Sequence, residues 1–483
     1  MLKRLFSIAD FSVTSRGHLK GSPLGPLLAW STAQQAIPRW WWLYDAALAL
    51  AAPFWLPYYA LVRRPGHPGL LQRFGVYPPE LRASWAGPGP SVWVHAVSVG
   101  ETLAALPLLA ALRARCPGRR WVVSTTTPTG QRLARERLPA DTTVFYVPWD
   151  LTPCVRRAIA VVRPRLFLAL ETELWPNLLL RLGAAGVPIA VVNGRLSARS
   201  FPRYRAVRRW LAPALEPVKV WAMQTAADAE RVLALGVPPS RVQVLGNLKA
   251  DVVPPACSTE QRAALRTQLG LTDSSPLWVA GSTHPGEEEI VLGAWRQVRV
   301  DYPTLRLLLA PRHPARVPEV ERLVGQFGAT PRRWSQVRAA GASGRHSQPP
   351  PPGPHDVMIL DTLGELMPLY GLADLVLVGG SMVPHGGHNV LEPAQWAKPV
   401  LAGPHTGNFQ SLVELLSAAG GLRVVENAEM LAAQVREWLA HPERRRQAGE
   451  AARAAVAAQA GATTRTVQVL CEQFGDVLLA DDA

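Results

Sequence analysis

Cysteine is scarce in this chain, and the few cysteines show no pairing pattern. Only four occur in 483 residues, at positions 116, 154, 257 and 471, and no two of them form a CxxC motif. We therefore expect neither a disulfide framework nor a cysteine zinc site, but reduced, buried thiols of a cytosolic domain. No histidines stand in an HxxxH or HxH spacing with acidic residues, so no structural or catalytic metal is predicted.

Several nucleotide-binding and nucleic-acid-binding signatures are also missing. No GxxxxGK[ST] loop occurs, and no GxGxxG opens a helix after the first strand, which argues against a P-loop nucleotidase and a dinucleotide-dependent dehydrogenase. RNA-recognition and zinc-finger patterns are absent as well. The net charge of +15 therefore favours an anionic membrane surface or phosphorylated ligands over nucleic acid as partners.

The N-terminal part divides into two stretches. Residues 1–39 show no periodicity and are predicted to be a poorly ordered extension. Residues 40–62, WWWLYDAALALAAPFWLPYYALV, form an apolar run rimmed by aromatics and about long enough to cross a bilayer as a membrane-anchor helix. Asp45, Pro53 and Pro57 weaken a clean span, so two alternatives stay open: a helix lying flat in the membrane interface and a buried core helix.

Charges around this run predict its orientation. Four arginines follow it closely, at positions 63, 64, 73 and 82, whereas only Lys20 and Arg39 precede it at a similar distance. The positive-inside rule then places the long C-terminal part on the cytoplasmic side of the inner (plasma) membrane.

Two series of apolar strands alternating with helices follow. The first has strands at 91–97, 121–126, 143–149, 166–170, 188–193, 220–225 and 241–247, and the second at 277–282, 305–311, 356–361, 374–380, 399–403 and 422–426. The pattern predicts an α/β fold of two doubly wound, Rossmann-like domains facing across a cleft, residues 63–250 and 263–483, joined by a linker at 251–262. A Gly/Pro/Ser-rich stretch between 335 and 354 is predicted as an exposed loop.

The stretch GGSMVPHGGHNVLEP, residues 379–393, has the clearest chemical signature. It follows an apolar strand, contains four glycines and runs into a helix. Glycine-rich turns at a helix start let backbone N–H groups approach an anion, and Glu392 in the first turn is placed to accept hydrogen bonds from sugar hydroxyls. The simpler interpretation is a tight turn before a capped helix. His385 and His388 receive no role beyond loop shaping or phosphate contact.

Acidic residues at strand ends are further candidates. Glu101, in Ser98-Val99-Gly100-Glu101, would act as a general base toward a hydroxyl, but Ser-x-x-Glu before an apolar helix is also a capping box, and the two roles can coexist. Glu171 and Glu173, in ETELWPN, either bind sugar hydroxyls or orient a base, or they only favour the positive end of a helix.

Polar residues end three more strands. Asn193 and Arg195 lie in NGRLSARS, and arginines at 199, 203, 205, 208 and 209 follow on a helix that would meet lipid head groups or be merely solvated. In the second series, Ser282 and Arg312 end the first two strands. The planar fork of Arg312 suits a phosphate or nucleotide.

Taken together, ten ordered stretches resemble the 3-deoxy-D-manno-octulosonic acid (Kdo) transferases. They are HAVSVGE, TTTPTG, VPWD, ETELWPN, NGRLSARS, GNLKAD, AGSTHPGEEE, PRHP, DTLGELMPLYGLADLVLVGGS and PHGGHNVLEPA, from about Arg73 to Phe409. The resemblance implies a GT-B glycosyltransferase of the inner membrane that uses no metal or other cofactor. It implies inverting transfer of Kdo from CMP-Kdo to the lipid A precursor (lipid IVA) of lipopolysaccharide.

The resemblance also implies roles for single residues. Glu101 becomes the general base, while acceptor binding or support falls to Ser98, Gly100, Glu171, Glu173, Asn193 and Arg195. Donor binding falls to Lys249, Ser282, Arg312, Gly380, Ser381, Gly387, Asn389 and Glu392. Among these, the Gly380 and Ser381 amides would hold the nucleotide phosphate, Glu392 the ribose, and Lys249 the donor phosphate or the Kdo carboxylate.

Other classes stay open at this point. A GT-B-fold sugar-nucleotide epimerase, or another membrane-associated GT-B transferase using a UDP-sugar, shares the glycine-rich loop and the ribose glutamate. A non-catalytic membrane scaffold of the same fold is a third possibility. Residues 1–39 and the prolines near 349–352 depart from the family pattern, without touching the motifs.

Overall fold

The computed structural model describes residues 37–58, 69–87, 90–252, 257–272, 275–343, 353 and 355–479. Residues 1–36 of the predicted extension and residues 59–62 of the predicted apolar span lie outside this described part. Strands alternate with helices from residue 91 to residue 424, as the hydrophobic periodicity predicts, and four described helices follow the last strand.

The first half of the chain contains ten helices and seven strands. The helices are α1 (Trp42–Tyr58), α2 (Leu70–Arg73), α3 (Pro79–Ser84), α4 (Val99–Arg115), α5 (Pro128–Arg137), α6 (Thr152–Val162), α7 (Pro176–Ala184), α8 (Phe201–Ala206), α9 (Arg208–Leu215) and α10 (Ala226–Ala234) in the described residues. The strands are β1 (Ser91–His95), β2 (Arg120–Thr125), β3 (Thr143–Tyr146), β4 (Pro164–Leu170), β5 (Ile189–Gly194), β6 (Val218–Met223) and β7 (Val242–Val244). A 3-10 turn, Leu248–Asp251, follows.

The second half has the same alternation. Its helices are α11 (Thr259–Gln268), α12 (Glu287–Val298), α13 (Val317–Gln326), α14 (Trp334–Ser343), α15 (Leu366–Leu372), α16 (Leu391–Gln395), α17 (Gln410–Ala418), α18 (Ala428–Ala440), α19 (Pro442–Ala457), α20 (Ala462–Gln473) and α21 (Gly475–Leu478). Its strands are β8 (Leu277–Thr283), β9 (Arg306–Pro311), β10 (Thr330–Arg333), β11 (Asp356–Ile359), β12 (Leu375–Val378), β13 (Val400–Ala402) and β14 (Leu422–Val424).

The strands form two seven-stranded parallel sheets, in the orders β3-β2-β1-β4-β5-β6-β7 and β10-β11-β9-β8-β12-β13-β14. Alternate residues of a strand face opposite sides of its sheet. Val92 and Val94 of β1 belong to one core cluster and Trp93 to another. Burial on both faces explains the nearly continuous apolar strands. The two Rossmann-like domains are therefore confirmed.

Each sheet has one point at which its winding direction reverses, between β1 and β4 in the first sheet and between β8 and β12 in the second. In open parallel sheets the crevice at the carboxyl ends of such neighbouring strands is the usual ligand site. Glu101 follows β1 and Glu171 follows β4, while Ser282 ends β8 and the glycine-rich stretch follows β12. The topology thus brings predicted motifs together in each domain.

The last two helices complete the core of the first domain. α20 packs on α4, and Leu470, Cys471 and Leu478 join the cluster that contains Val92. Asp251 fixes the return of the chain, since its carboxylate accepts hydrogen bonds from the N–H groups of Gly461 (2.7 Å) and Thr463 (2.6 Å). The structure thus corrects the assignment of residues 462–478 to the second domain, because an amphipathic helix does not specify which core it covers.

Helix α1 is docked on the first domain through polar side chains. The Asp45 carboxylate accepts hydrogen bonds from Thr152 Oγ1 at 2.7 Å and from Asn177 Nδ2 at 2.8 Å. Trp41 Nε1 donates to Asn177 Oδ1 at 2.7 Å. Asp45, which weakened the prediction of a spanning helix, therefore holds the helix against the protein.

The described residues contain no helix that is both long enough and apolar enough to cross a membrane. α1 covers 17 residues of the predicted 40–62 run. One face of it is nevertheless apolar and exposed, with exposed fractions of 64% for Trp42, 46% for Leu43, 75% for Leu50 and 82% for Phe54.

Three local predictions change. β10 is not predicted because its sequence, TPRR, is polar, but it lies at a sheet edge and needs no apolar run. α14 (Trp334–Ser343) covers residues 335–343 of the stretch predicted as a loop, and residues 344–352 and 354 of that stretch lie outside the described part. The predicted linker narrows, because Ser258 and Gln261 form a capping box that starts α11 at Thr259.

Candidate active site

Glu101 lies at the start of α4 and is hydrogen-bonded to Ser98. Ser98 Oγ accepts a hydrogen bond from the Glu101 N–H at 3.3 Å and donates one to Glu101 Oε1 at 2.9 Å. Glu101 Oε2 accepts from the Val97 N–H at 2.7 Å. The N-cap role of Ser98 is therefore confirmed, but the carboxylate bonds the N–H of Val97, one residue before the N-cap residue that a capping box would use. Lone pairs of the carboxylate stay free for chemistry. Gly100, beside it, is exposed at the helix start.

The pKa of Glu101 is raised to about 8. Burial is the main cause, since only 6% of the residue is exposed. The neighbouring carboxylates of Glu171 and Glu173 add to it, while the hydrogen bonds from Val97 and Ser98 oppose it. The three predicted acids thus influence one another in one crevice, and a carboxylate with a pKa near neutrality suits proton abstraction.

Glu171 and Glu173 have different partners. Glu171 adopts a left-handed backbone with φ of 54°, and its Oε1 lies 2.6 Å from Lys249 Nζ in a largely buried ion pair. Glu173 accepts a hydrogen bond from Trp175 Nε1 at 3.0 Å, and burial raises its pKa. Lys249, predicted on the donor side, is therefore tied to the acids of the first domain.

Asn193 and Arg195 are also not equivalent. The buried Asn193 side chain accepts the Leu248 N–H at 2.9 Å, so it positions the turn that carries Lys249. Of the two predicted roles, acceptor binding or support, this contact favours support. The guanidinium of Arg195 lies 5.8 Å from the ring centre of Phe409, in the second domain. Lys249 Nζ lies 5.9 Å from the same ring.

The second domain, which is predicted to bind the donor, contains a buried carboxylate that was not predicted from the sequence. The Glu287 side chain, fully buried at the start of α12, accepts four backbone N–H groups. They belong to His284 (2.9 Å), Gly380 (2.7 Å), Ser381 (3.0 Å) and Met382 (2.8 Å). Two of these amides are the ones predicted to hold the donor phosphate, and the structure corrects this assignment because they are already bonded. The only sequence signal was an acidic helix start after β8.

Some of the remaining polar groups of the glycine-rich stretch hold the fold together, and others have no partner in the protein. Ser381 Oγ donates to the Val378 carbonyl and accepts the Gly403 N–H at 2.9 Å, so it joins β12 to β13. Gly387 has φ of 79° and donates its N–H to the Gly380 carbonyl. The N–H groups of His388 and Asn389 have no protein acceptor within the described residues. The accessible amides thus lie later in the stretch than predicted.

Glu392 and Asn389 act as a pair at the start of α16. Asn389 Nδ2 donates to Glu392 Oε1 at 3.1 Å. Burial raises the pKa of Glu392, while Asn389, Lys249 and Arg312 lower it. Lys249 comes from the first half of the chain, so the two halves of the candidate site meet here.

Arg312 and Ser282 stand at the ends of adjacent strands. Arg312 is exposed and forms no ion pair with a carboxylate in the described part of the chain. Ser282 has a left-handed backbone, with φ of 59°, and its hydroxyl has no hydrogen bond there either. Both side chains are therefore available to a ligand, and their assignment to the donor side stays a prediction.

A cavity of about 650 Å³ lies on the second domain, where Arg199 of the first domain reaches it. Arg199 lines it from the first domain, and Pro384, Gly386, Thr406 and Ser417 are among the lining residues of the second. Ser417 Oγ is buried there without a hydrogen-bond partner in the described structure. Among the described residues, no group of three or more His, Cys, Asp or Glu side chains is arranged to hold a metal ion.

Comparisons with known families and folds agree with this organisation. The family described as 3-deoxy-D-manno-octulosonic-acid transferase (kdotransferase) matches residues 69–252, and the family described as glycosyl transferases group 1 matches residues 354–455. The crystal structure of a UDP-N-acetylglucosamine 2-epimerase superposes with a TM-score of 0.56 over 80% of this chain and 96% of that chain, at 14% identity. This second similarity concerns the fold alone.

Two curated relatives extend over almost the whole chain. The 3-deoxy-D-manno-octulosonic acid transferase of Haemophilus influenzae is 34% identical over 435 residues, which cover 89% of this chain and 98% of the relative. The enzyme of the same name from Bordetella pertussis is 36% identical over 447 residues, covering 90% and 99%. The chain therefore belongs to the 3-deoxy-D-manno-octulosonic acid transferase family and is a glycosyltransferase that transfers Kdo.

Proposed function

We propose that the protein transfers Kdo from CMP-Kdo to the lipid A precursor, lipid IVA, in lipopolysaccharide biosynthesis, with inversion at the anomeric carbon. The observation that carries the proposal is the buried Glu101, whose pKa is raised to about 8 in an acid cluster that reaches Lys249 through Glu171. Lys249 in turn interacts with Glu392 of the opposite half. A base on one side and a nucleotide-binding half on the other suit attack by a hydroxyl on a nucleotide sugar.

The reaction needs one proton transfer and one displacement. Glu101 takes the proton of the acceptor hydroxyl as its oxygen bonds to the anomeric carbon of Kdo. The bond from that carbon to the phosphate oxygen breaks, its electron pair leaves with CMP, and positive charge develops on the sugar as in other glycosyl transfers. Arg312 and Lys249 offset the negative charge gained by the phosphate, and Glu392 accepts hydrogen bonds from the ribose.

Transfer is tested with purified protein, CMP-Kdo and lipid IVA in detergent. We expect a lipid product whose mass is increased by Kdo. Folded protein that forms no such product, with a circular dichroism spectrum typical of an α/β protein, would refute the proposed donor and acceptor.

Replacing Arg312 by alanine should weaken CMP binding by about 10- to 100-fold, since a hydrogen bond to a charged group contributes about 1.5–3 kcal/mol. Isothermal titration calorimetry measures this. Arg444→Ala is the control, because Arg444 is 67% exposed and only loosely paired with Glu437 at 3.6 Å. Equal affinities of the two variants would remove Arg312 from the donor site.

We further propose that α1 lies in the membrane interface on the cytoplasmic side of the inner membrane. Its apolar face, formed by Trp42, Leu43, Leu50 and Phe54, is exposed, and its other face is docked on the protein. Trp40 at its start contacts Trp210 of α9 at 4.9 Å between ring centres. α9, which carries Trp210, and the preceding α8 expose arginines at positions 203, 205, 208 and 209. Aromatic and apolar groups together with arginines suit an anionic bilayer surface.

The double change Leu50→Glu and Phe54→Glu should therefore reduce binding to vesicles of phosphatidylglycerol by about 100-fold or more, since burying each side chain contributes about 1.5–3 kcal/mol. Vesicle co-sedimentation measures the partition. Val300→Glu is the control, because Val300 is 81% exposed on the second domain. Undiminished binding of the double variant would contradict the interfacial arrangement.

A further inference from the structure

The donor half contains a pair of imidazoles that share a hydrogen bond. His284 Nε2 and His388 Nε2 lie 2.8 Å apart. The two ring planes differ by only 5°, and the ring centres are 5.1 Å apart. This separation is about the N···N distance plus the distance from each ring centre to its nitrogen. The hydrogen bond therefore lies in the plane of both rings. One nitrogen must carry the proton and the other must accept it. In the neutral pair, one ring is therefore the Nε2–H tautomer and the other the Nδ1–H tautomer.

The surroundings of this pair are poor in negative charge. The His385 ring stacks on His284 at 4.1 Å between centres, and the His313 ring stands perpendicular to it at 5.9 Å. Arg312 and Arg316 follow β9 on the same side. These neighbours all disfavour protonation of His284.

The nearby carboxylates do not compensate. Glu287 is occupied by its four backbone N–H groups, and Glu288 is paired with Arg316 Nη1 at 2.8 Å and with Thr283 Oγ1 at 2.7 Å. Glu392 interacts with Arg312, Lys249 and Asn389. Burial together with the cationic and imidazole neighbours lowers the pKa of His284 to about 4 and that of His388 to about 3. Without a ligand, both rings are neutral at physiological pH.

The position of the pair relates it to the nucleotide phosphate. His388 Cδ2 lies 2.9 Å from the point that a side chain on Gly380 would occupy, so the ring packs directly against that glycine. The unbonded N–H groups of His388 and Asn389 and the exposed Arg312 surround the same place. An anion bound among these groups would supply the negative charge that the pair lacks, and would favour its charged form.

We propose that the His284–His388 pair takes up one proton when the anionic nucleotide binds, and that the imidazolium so formed faces the leaving phosphate. This rests on the proposed CMP-Kdo site. During transfer the bond between the anomeric carbon and the phosphate oxygen breaks, and its electron pair stays on that oxygen. The acceptor proton goes to Glu101, and the imidazolium keeps its own proton while donating a hydrogen bond to the new charge. Proton uptake thus stabilises the departure of CMP.

Calorimetric titration of the full-length protein with CMP at pH 6, in two buffers of different ionisation enthalpy, measures the protons taken up. A nearby opposite charge raises the pKa of an imidazole by about 1–3 units, so we expect the wild type to take up about half a proton per CMP more than a variant without the pair, and its affinity to fall relative to that variant as the pH rises from about 5 to 7. His388→Gln and His284→Gln each keep a polar group but remove the titrating pair, so both should bind CMP without this additional uptake. His441→Gln, on the exposed start of α19, should behave like the wild type.

Four results would overturn the proposal. Binding of CMP to the wild type without proton uptake would do so while leaving the transferase function intact. Equal uptake by the wild type and both glutamine variants would place the proton elsewhere, for example on the phosphate of CMP. Loss of uptake in His441→Gln would show that the effect is not specific to the pair. Failure of the folded wild type to bind CMP would refute the donor site itself.

Discussion

Replacing Glu101 by glutamine should lower Kdo transfer by about 10²- to 10⁴-fold, the usual contribution of a general base. The amide oxygen of glutamine can accept the Val97 N–H and its NH2 group can donate to Ser98 Oγ, so both side-chain bonds can be replaced. Thermal stability and CMP affinity should therefore stay close to those of the wild type. The measurement is the rate of lipid product formation with both substrates saturating. Asp228→Asn is the matched control, since Asp228 occupies the same capping position in α10, with its N–H bonded to Thr225 Oγ1 at 3.1 Å.

The pH dependence gives an independent test of the same role. Only the ionised carboxylate can accept a proton, and the pKa of Glu101 is raised to about 8 by burial and by Glu171 and Glu173. The wild-type rate at saturating donor should therefore rise as the pH is raised from 6 to 8.5, by about tenfold per unit well below the pKa. The residual rate of Glu101→Gln should not show this rise with pH. Loss of activity in Asp228→Asn to the same extent, or activity of Glu101→Gln within a few-fold of wild type, would leave Glu101 only a cap.

The sequence predicts well what depends on local periodicity. Apolar strands such as Leu277–Thr283 and Leu375–Val378 stand out because both faces of a parallel sheet are buried. The N-cap bond from the Glu101 N–H to Ser98 Oγ is likewise local, since its partners are three residues apart. β10 is not predicted, because an edge strand tolerates polar residues and so lacks the apolar pattern. Local pattern thus predicts both domains and the crevices in which the motifs lie.

What the sequence does not show are contacts between distant residues. The amides of Gly380 and Ser381 have the pattern of a phosphate site, yet Glu287, 93 residues or more before them, already accepts their hydrogen bonds. Asn193 has the position of a ligand-binding residue, but it is buried against Leu248, 55 residues later. A turn rich in N–H groups can bind a ligand or a side chain of the protein itself. Only the tertiary structure shows which acceptor lies within hydrogen-bond distance.

Replacing Glu287 by glutamine should destabilise the second domain by about 2–6 kcal/mol and abolish CMP binding. Each carboxylate oxygen accepts two N–H groups, one from Ser381 and one from Met382 on Oε1, and one from Gly380 and one from His284 on Oε2. A glutamine amide turns one of these acceptors into a donor, so two buried N–H groups lose their partner at about 1–3 kcal/mol each. The lost hydrogen bonds lie at the carboxyl ends of the neighbouring strands β8 and β12. These strand ends form the base of the predicted donor crevice.

Urea denaturation followed by tryptophan fluorescence measures the stability, and calorimetry measures CMP binding below the transition. Glu289→Gln is the matched control, because Glu289 lies in the same first turn of α12 but is exposed, and a surface change of this kind alters stability by less than about 0.5 kcal/mol. If Glu287→Gln unfolded at the same urea concentration as Glu289→Gln and bound CMP equally well, the four hydrogen bonds would not be what holds the crevice open. If it were destabilised but still bound CMP at low temperature, the phosphate would not depend on the geometry of the Gly380 turn, and the accessible N–H groups of His388 and Asn389 would suffice.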